Sequence, residues 1–274
     1  MVARTLEEKL GKLDEALAEY RKLDWGPSAA EAKRRIARLT AKAMTIATER
    51  VFRSDETPQL KLVTRNIESV TVRVFTVDME TYFRKMHEAR GVEALDIALI
   101  DPDQTFEYKV PDYKPYQRHE NHVPVPLPAA AKTGVMAVTI NSQTLEATTL
   151  MLQSDLDIVV KSSRDEVFVF AENLRTGQPW SKAKILLSDG AQVFGEGETN
   201  DNGVFQKSFD QLKSSGDVRV FAVADGHIAS NGTPSCAQMS WMALRPEAAA
   251  TGTIPPGSTH CPAREKFSRP GRAL

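Results

Sequence analysis

Ser69-Val70-Thr71-Val72-Arg73-Val74-Phe75-Thr76-Val77-Asp78 decides the fold class. Val70, Val72 and Val74 fall on one side of an extended chain, with Thr71 and Arg73 on the other. Successive side chains alternate only in a β-strand, and β-branched residues suit a half-buried sheet surface. Asp78 is placed to cap a short helix over 79–87, with Tyr82, Phe83 and Met86 on one side. Outward from this stretch the same grammar predicts strands over 59–64, 105–110, 122–127, 134–141 and 145–153. In 122–127, Val123, Val125 and Leu127 alternate with Pro124 and Pro126. Proline cannot donate to a ladder, so this segment is expected at a sheet edge.

A second set of strands follows almost without a linker, over 156–161, 166–172, 183–188, 192–199, 204–209 and 218–224. Short turns separate them: Arg175-Thr176-Gly177-Gln178-Pro179, Asp189-Gly190 and Asn200-Asp201-Asn202-Gly203. Each supplies Gly or Asn where a positive φ is needed. The count and spacing of strands fit two antiparallel, immunoglobulin-like β-sandwiches. Upstream, Leu6, Leu10, Leu13, Leu17 and Tyr20 recur at helical spacing and predict a helix over 5–23, with Thr5 and Glu8 spaced as a capping box. Trp25-Gly26-Pro27 stops it. Ser28 with Glu31 opens a second helix, carried by Ile36, Leu39, Ala43, Ile46 and Val51 to about residue 52. The expected organisation is therefore mainly β: a helical hairpin (1–54), a first sandwich (57–155), a second (156–231) and a disordered tail (232–274). The tail is rich in Pro, Ala and Arg and shows neither period.

Composition narrows the function. The chain has 274 residues, 41% hydrophobic and 26% charged, with a net charge of -1. A folded core is expected, and a nucleic-acid-binding protein is not. The charge is uneven: 12 Lys/Arg against 8 Asp/Glu in 1–54, 18 against 26 in 55–231, and 5 against 2 in 232–274. No apolar run approaches the ~18 residues of a membrane span, and no secretory signal is expected from the acidic opening residues. Cys236 and Cys261 both lie in the tail, so the β region is expected to fold without disulfides.

No constellation of side chains announces chemistry. His119 and His122 stand three apart in an extended segment, where they point to opposite faces, so no metal site is expected. Glu196, Glu198, Asn200, Asp201 and Asn202 lack the regular ligand spacing of a calcium loop and read as a hairpin turn. Ser162, Ser163 and Ser235 have no Gly-x-Ser-x-Gly context. Asp101-Pro102-Asp103 reads as a turn, and Phe75, Tyr82, Phe83, Phe106 and Tyr108 as core. No catalytic, cofactor-binding or metal-binding residues are therefore expected, and the pattern singles out no binding residues.

Several stretches are similar to N-terminal macroglobulin-like domains of bacterial alpha-2-macroglobulin family proteins. They are Thr64-Arg65-Asn66-Ile67-Glu68 running on through Asp78, the 79–84 helix, Pro111-Asp112-Tyr113-Lys114-Pro115-Tyr116, Leu145-Glu146-Ala147-Thr148-Thr149-Leu150, Ser154-Asp155-Leu156 and the block 161–202. The resemblance covers roughly 57–230. It implies macroglobulin-type sandwiches that serve a protease trap as non-catalytic scaffold, in the periplasm or at the cell surface. Their partners would be other macroglobulin domains, with proteases engaged only through the full-length architecture. A Cys-x-x-Gln thioester does not occur: Cys236-Ala237-Gln238-Met239 and Cys261-Pro262-Ala263-Arg264 both depart from it. Nor is a bait region expected within these 274 residues. A frame that is truncated or shifted after residue 231 would account for the tail. The alternative expectation is a cell-surface adhesion or glycan- or protein-binding module on immunoglobulin-like domains, for which Trp180 is the one candidate aromatic, although half-burial at a sandwich end is the favoured place for it.

Overall fold

The computed structural model describes residues 2–89, 100–126, 128, 133–213 and 218–231. The tail 232–274, with Ser235 and both cysteines, lies outside the described residues, as does Leu127.

The N-terminal hairpin is present, built from three helices. α1 (Val2–Glu8) and α2 (Leu13–Arg21) split the helix expected over 5–23. Gly11 sits between them at φ +63°, a left-handed conformation that ends a helix. α3 (Ala29–Thr40) follows. Ala3, Ala16, Tyr20, Ala32 and Leu39 form a small separate core. The nearly buried Glu7 carboxylate binds the three helices together: it accepts from the Tyr20 hydroxyl at 2.8 Å, from Arg35 at 3.1 Å and from Arg38. Burial, reinforced by Glu7, pushes the Tyr20 hydroxyl up to about 12. Neither expected capping box forms. Thr5 lies inside α1, and Glu31 pairs with Arg34 and Arg35 instead of closing on Ser28, which makes no side-chain cap bond.

The second helix ends at Thr40, not near residue 52. Residues Ala43–Ala47 form β1. Its Met44 and Ile46 alternate into the first sandwich, where pairing with β2 (Gln59–Arg65) rewards the strand over any intrinsic helical preference. Asn66, left-handed at φ 56°, fastens the helices to the sheet. Its Nδ2 donates to the carbonyls of Leu39 at 2.7 Å and Ala41 at 2.9 Å, and its Oδ1 accepts from the Tyr116 amide at 2.7 Å. Asn66→Asp tolerates the same backbone but loses both donors. It is expected to cost about 1–2 kcal/mol, read as a lower urea midpoint with faster amide exchange in α3. Unchanged exchange in α3 would contradict this fastening role.

β3 (Ser69–Val77) leads into α4 (Met79–Met86), where Asp78 accepts from the Thr81 amide as its cap. β4 (Gln104–Lys109), β5 (Arg118–Pro124), β6 (Gly134–Asn141) and β7 (Glu146–Gln153) complete the first sandwich. Its two antiparallel sheets run β1-β2-β5 and β4-β3-β6-β7. Leu60, Leu62, Val72, Val74, Val138 and Ile140 fill the space between them. β5 starts four residues earlier than expected, and its proline stands on an edge strand, as the sequence requires.

β8 (Leu156–Ser162), β9 (Glu166–Asn173), β10 (Gln178–Pro179), β11 (Lys184–Ser188), β12 (Val193–Glu198), β13 (Val204–Ser208), β14 (Arg219–Ala224) and β15 (His227–Ser230) make the second sandwich. One sheet holds β8, β9, β10 and β13, and the other runs β12-β11-β14-β15. Val167, Val169, Ile185, Leu187, Val220 and Ala222 form its core. β15 lies beyond the last strand that the sequence predicts. Asp225 and Gly226, both at positive φ, turn the chain back in a two-residue hairpin. Gly203 sits at φ +72°, and a Cβ there would lie 2.5 Å from the Ala171 carbonyl oxygen. No described helix is long and apolar enough to cross a membrane.

Candidate functional site: the junction between the sandwiches

β6 and β7 are buried on both faces, unlike a strand with one side in water. Met136, Val138 and Ile140 enter the first core, while Val135 and Ala137 face the other way. There they meet Phe75, Leu150 and Leu152, the Met79, Tyr82 and Phe83 side of α4, and Leu186, Phe221 and Ile228 of the second sandwich. These residues form one continuous apolar cluster between the two domains. At its centre Phe83 and Phe221 stack with ring centroids 5.1 Å apart and planes 17° apart. Ion pairs ring the cluster: Lys184 to Glu80 at 2.5 Å, Arg84 to Glu80 and Glu196, and Arg219 to Glu88 at 3.4 Å. The Lys184 hydrogen bond, helped by Arg84, holds the Glu80 carboxyl below the usual range. These half-exposed pairs contribute little energy each but discriminate among ways of docking the two faces.

The connection between the domains is only Ser154 and Asp155, both 1% exposed. Every polar group in it is engaged. The Ser154 hydroxyl donates to the Ile228 carbonyl at 2.8 Å and accepts from the amides of Ile228 and Leu156. The Ser154 amide donates to the Phe52 carbonyl, and its own carbonyl accepts from Arg53. The Asp155 amide donates to His227 Nδ1 at 2.9 Å, and its carbonyl accepts from the Leu174 amide. The Asp155 carboxylate accepts from the Ser54 amide at 2.9 Å, the Ser54 hydroxyl at 2.5 Å and Arg175 at 3.5 Å. Burial pushes this carboxyl up, but the Ser54 hydrogen bonds outweigh it, with the charge of a protonated His227 and the Arg175 hydrogen bond adding. The group therefore sits below the ordinary carboxylate range. Gln153 extends the clasp, donating to the carbonyls of Arg53 and Glu56.

The sequence-derived candidates are not brought together here. His119 points inward on β5, ring against Tyr113 and Nε2 at the Lys114 backbone, whereas His122 lies on the exposed face. Among the described residues no group of three or more His, Cys, Asp or Glu side chains is placed to share a metal ion. The Asn200 side chain accepts from the amides of Asn202 and Val204, as a turn demands. Ser163 accepts from the amides of Asp165 and Glu166 in another turn, and Asp103 accepts from the Thr76 amide. Phe106 and Tyr108 pack on the first core. Trp180 is half-buried against the second core, with its ring 4.9 Å from that of His227. The residues that sequence reasoning missed are Ser54, Ser154, Asp155 and His227. Ser154 and Asp155 carry a signal as a two-residue polar link between long apolar strands, whereas Ser54 and His227 carry none.

The fold and junction define a tandem β-sandwich protein whose domains meet through an apolar face. No family profile matches the sequence, and no curated protein does. Among solved structures, the fold is similar to native alpha-2-macroglobulin from Escherichia coli spanning domains MG0-NIE-MG1. The TM-score is 0.48 at 15% identity, over 70% of this chain and 64% of that one. A fragment of the same protein spanning NIE-MG1 gives 0.47 at 16% identity, over 70% of this chain and 97% of that one. A Salmonella alpha-2-macroglobulin mutant gives 0.48 at 14% identity, over 69% of this chain and 12% of that one.

Proposed function

We propose that residues 57–231 are two consecutive macroglobulin-type domains acting as non-catalytic scaffold in a protein of the alpha-2-macroglobulin type. The junction carries this reading. The polar groups of its Ser154–Asp155 link are spent on hydrogen bonds that fix one domain against the next, with an apolar cluster between them. Such a joint transmits orientation and leaves no nucleophile or acid–base pair facing a substrate. The motifs through 57–230 support the same reading. In this role the partners are further macroglobulin-like domains, proteases are met only by the full assembly, and the setting is periplasmic or surface-attached. The adhesion alternative draws no support from Trp180, whose ring is engaged with the core and His227.

The purified chain, mixed in equimolar amount with a serine protease, is expected to leave cleavage of a large protein substrate unchanged. Stoichiometric inhibition by this chain alone would overturn the scaffold reading.

A further inference from the structure

We propose that the hydrogen bond from the Asp155 amide to His227 makes the domain junction an acid-sensitive latch, closed while the imidazole is neutral and loosened when it binds a proton. The geometry requires this dependence. Nδ1 lies 2.9 Å from the Asp155 nitrogen and receives its N–H. A neutral ring can do so only as the tautomer that carries its hydrogen on Nε2. Protonation puts a second hydrogen on Nδ1, and two donors then face each other in a half-buried site. The Asp155 amide loses its acceptor, and the link it anchors is the covalent connection between the sandwiches.

The charged groups around the ring oppose one another. Asp155, in the link, and Asp225, in the β14–β15 turn, favour the imidazolium, whereas Arg175, from the β9–β10 turn, disfavours it. The Trp180 ring, between β10 and β11, covers one side. Burial is the largest influence and holds His227 below the ordinary histidine value. The closed junction therefore binds its proton more weakly than an open one. Closure is complete above about pH 6.5 and weakens as the pH falls. With one proton involved, the open fraction rises at most about tenfold per pH unit. The Ser154–Ile228 hydrogen bonds do not titrate, so the junction loosens locally and both sandwich cores stay folded.

Amide hydrogen exchange on the full chain tests the latch. Rates for Asp155 between pH 7.5 and 5 would be corrected for intrinsic exchange and compared with Val72 and Val169 in the two cores. Protection at Asp155 is expected to fall with pH while the core amides hold. In His227→Asn, whose Oδ1 can accept the same N–H without titrating, protection is expected to stay flat. Equal losses in both proteins, or no loss in the parent chain, would overturn the proposal. Nitrogen-15 shifts of His227 in the unmodified chain supply a second reading, independent of whether the variant folds. Nδ1 is expected to be bare at pH 8, with the Asp155 amide shifting at the midpoint of the His227 titration. A proton on Nδ1 at pH 8, or unrelated midpoints, would refute the latch.

Discussion

Phe221→Ala is expected to cost about 3–5 kcal/mol. Phe221 is fully buried, and its ring lies on Phe83 at the centre of the interdomain cluster. Truncation removes the stacking partner and opens a cavity between two faces that cannot easily close, because the Ser154–Asp155 link fixes their separation. Urea unfolding would show the loss as a midpoint shift at unchanged slope. Combining it with Phe83→Ala in a double-mutant cycle is expected to give a coupling of about 0.5–1.5 kcal/mol. A cost for Phe221→Ala below ~1 kcal/mol would mean that the apolar cluster does not hold the domains together. Val159→Ala, on the exposed face of β8, provides the contrast and is expected to stay within about 0.5 kcal/mol.

Asp155→Ala is expected to cost about 3 kcal/mol, because it leaves the Ser54 amide and hydroxyl without their acceptor and the nearby Arg175 without its partner. Asp155→Asn keeps an oxygen for the Ser54 amide and is expected to cost about 1 kcal/mol. The acid limb of stability separates the two roles of this residue. Its folded carboxyl sits below the unfolded value of 3.8, so the native chain binds fewer protons there than the unfolded chain. The stabilisation is complete above about pH 4 and is lost as the pH falls through the folded value. Asp155→Asn should remove that part of the acid limb and keep or enlarge the change near pH 6, because the carboxylate favours the His227 imidazolium. Loss of both together would assign the whole pH response to the carboxylate.

Much of the β architecture was legible from local pattern. Strand 134–141 emerges with the expected ends, and β3, β7, β9 and β14 shift by a residue or less at either end. Alternation there is strong, and the Gly and Asn turns leave few registers. The helical hairpin was legible as a hairpin, but its internal break and its end were not. Gly11 carried a weak signal inside a helical stripe. Residues 43–47 join a strand because the edge of β2 is free to receive them. Thr5 and Ser28 have capping-box spacing, but Thr5 lies within α1 and Ser28 makes no side-chain cap bond, while Arg34 and Arg35 offer Glu31 charged partners. The junction was the least legible part. Ser54, Asp155 and His227 are separated by about a hundred and then seventy residues, and nothing local marks them as neighbours.

By itself the sequence determined the fold class, the edge position of the proline-bearing strand and the turn chemistry, all of which rest on interactions between residues close along the chain. Tertiary structure alone decided that β6 and β7 would be buried on both faces. Only there does the second sandwich arrive to cover what alternation would leave to solvent. It also decided that Asp155 would lie buried and ionised, since the groups that satisfy its carboxylate and amide come from three separate segments around positions 54, 175 and 227. Hydrophobic period is written residue by residue, whereas the partner of a buried polar group is fixed only when distant segments pack.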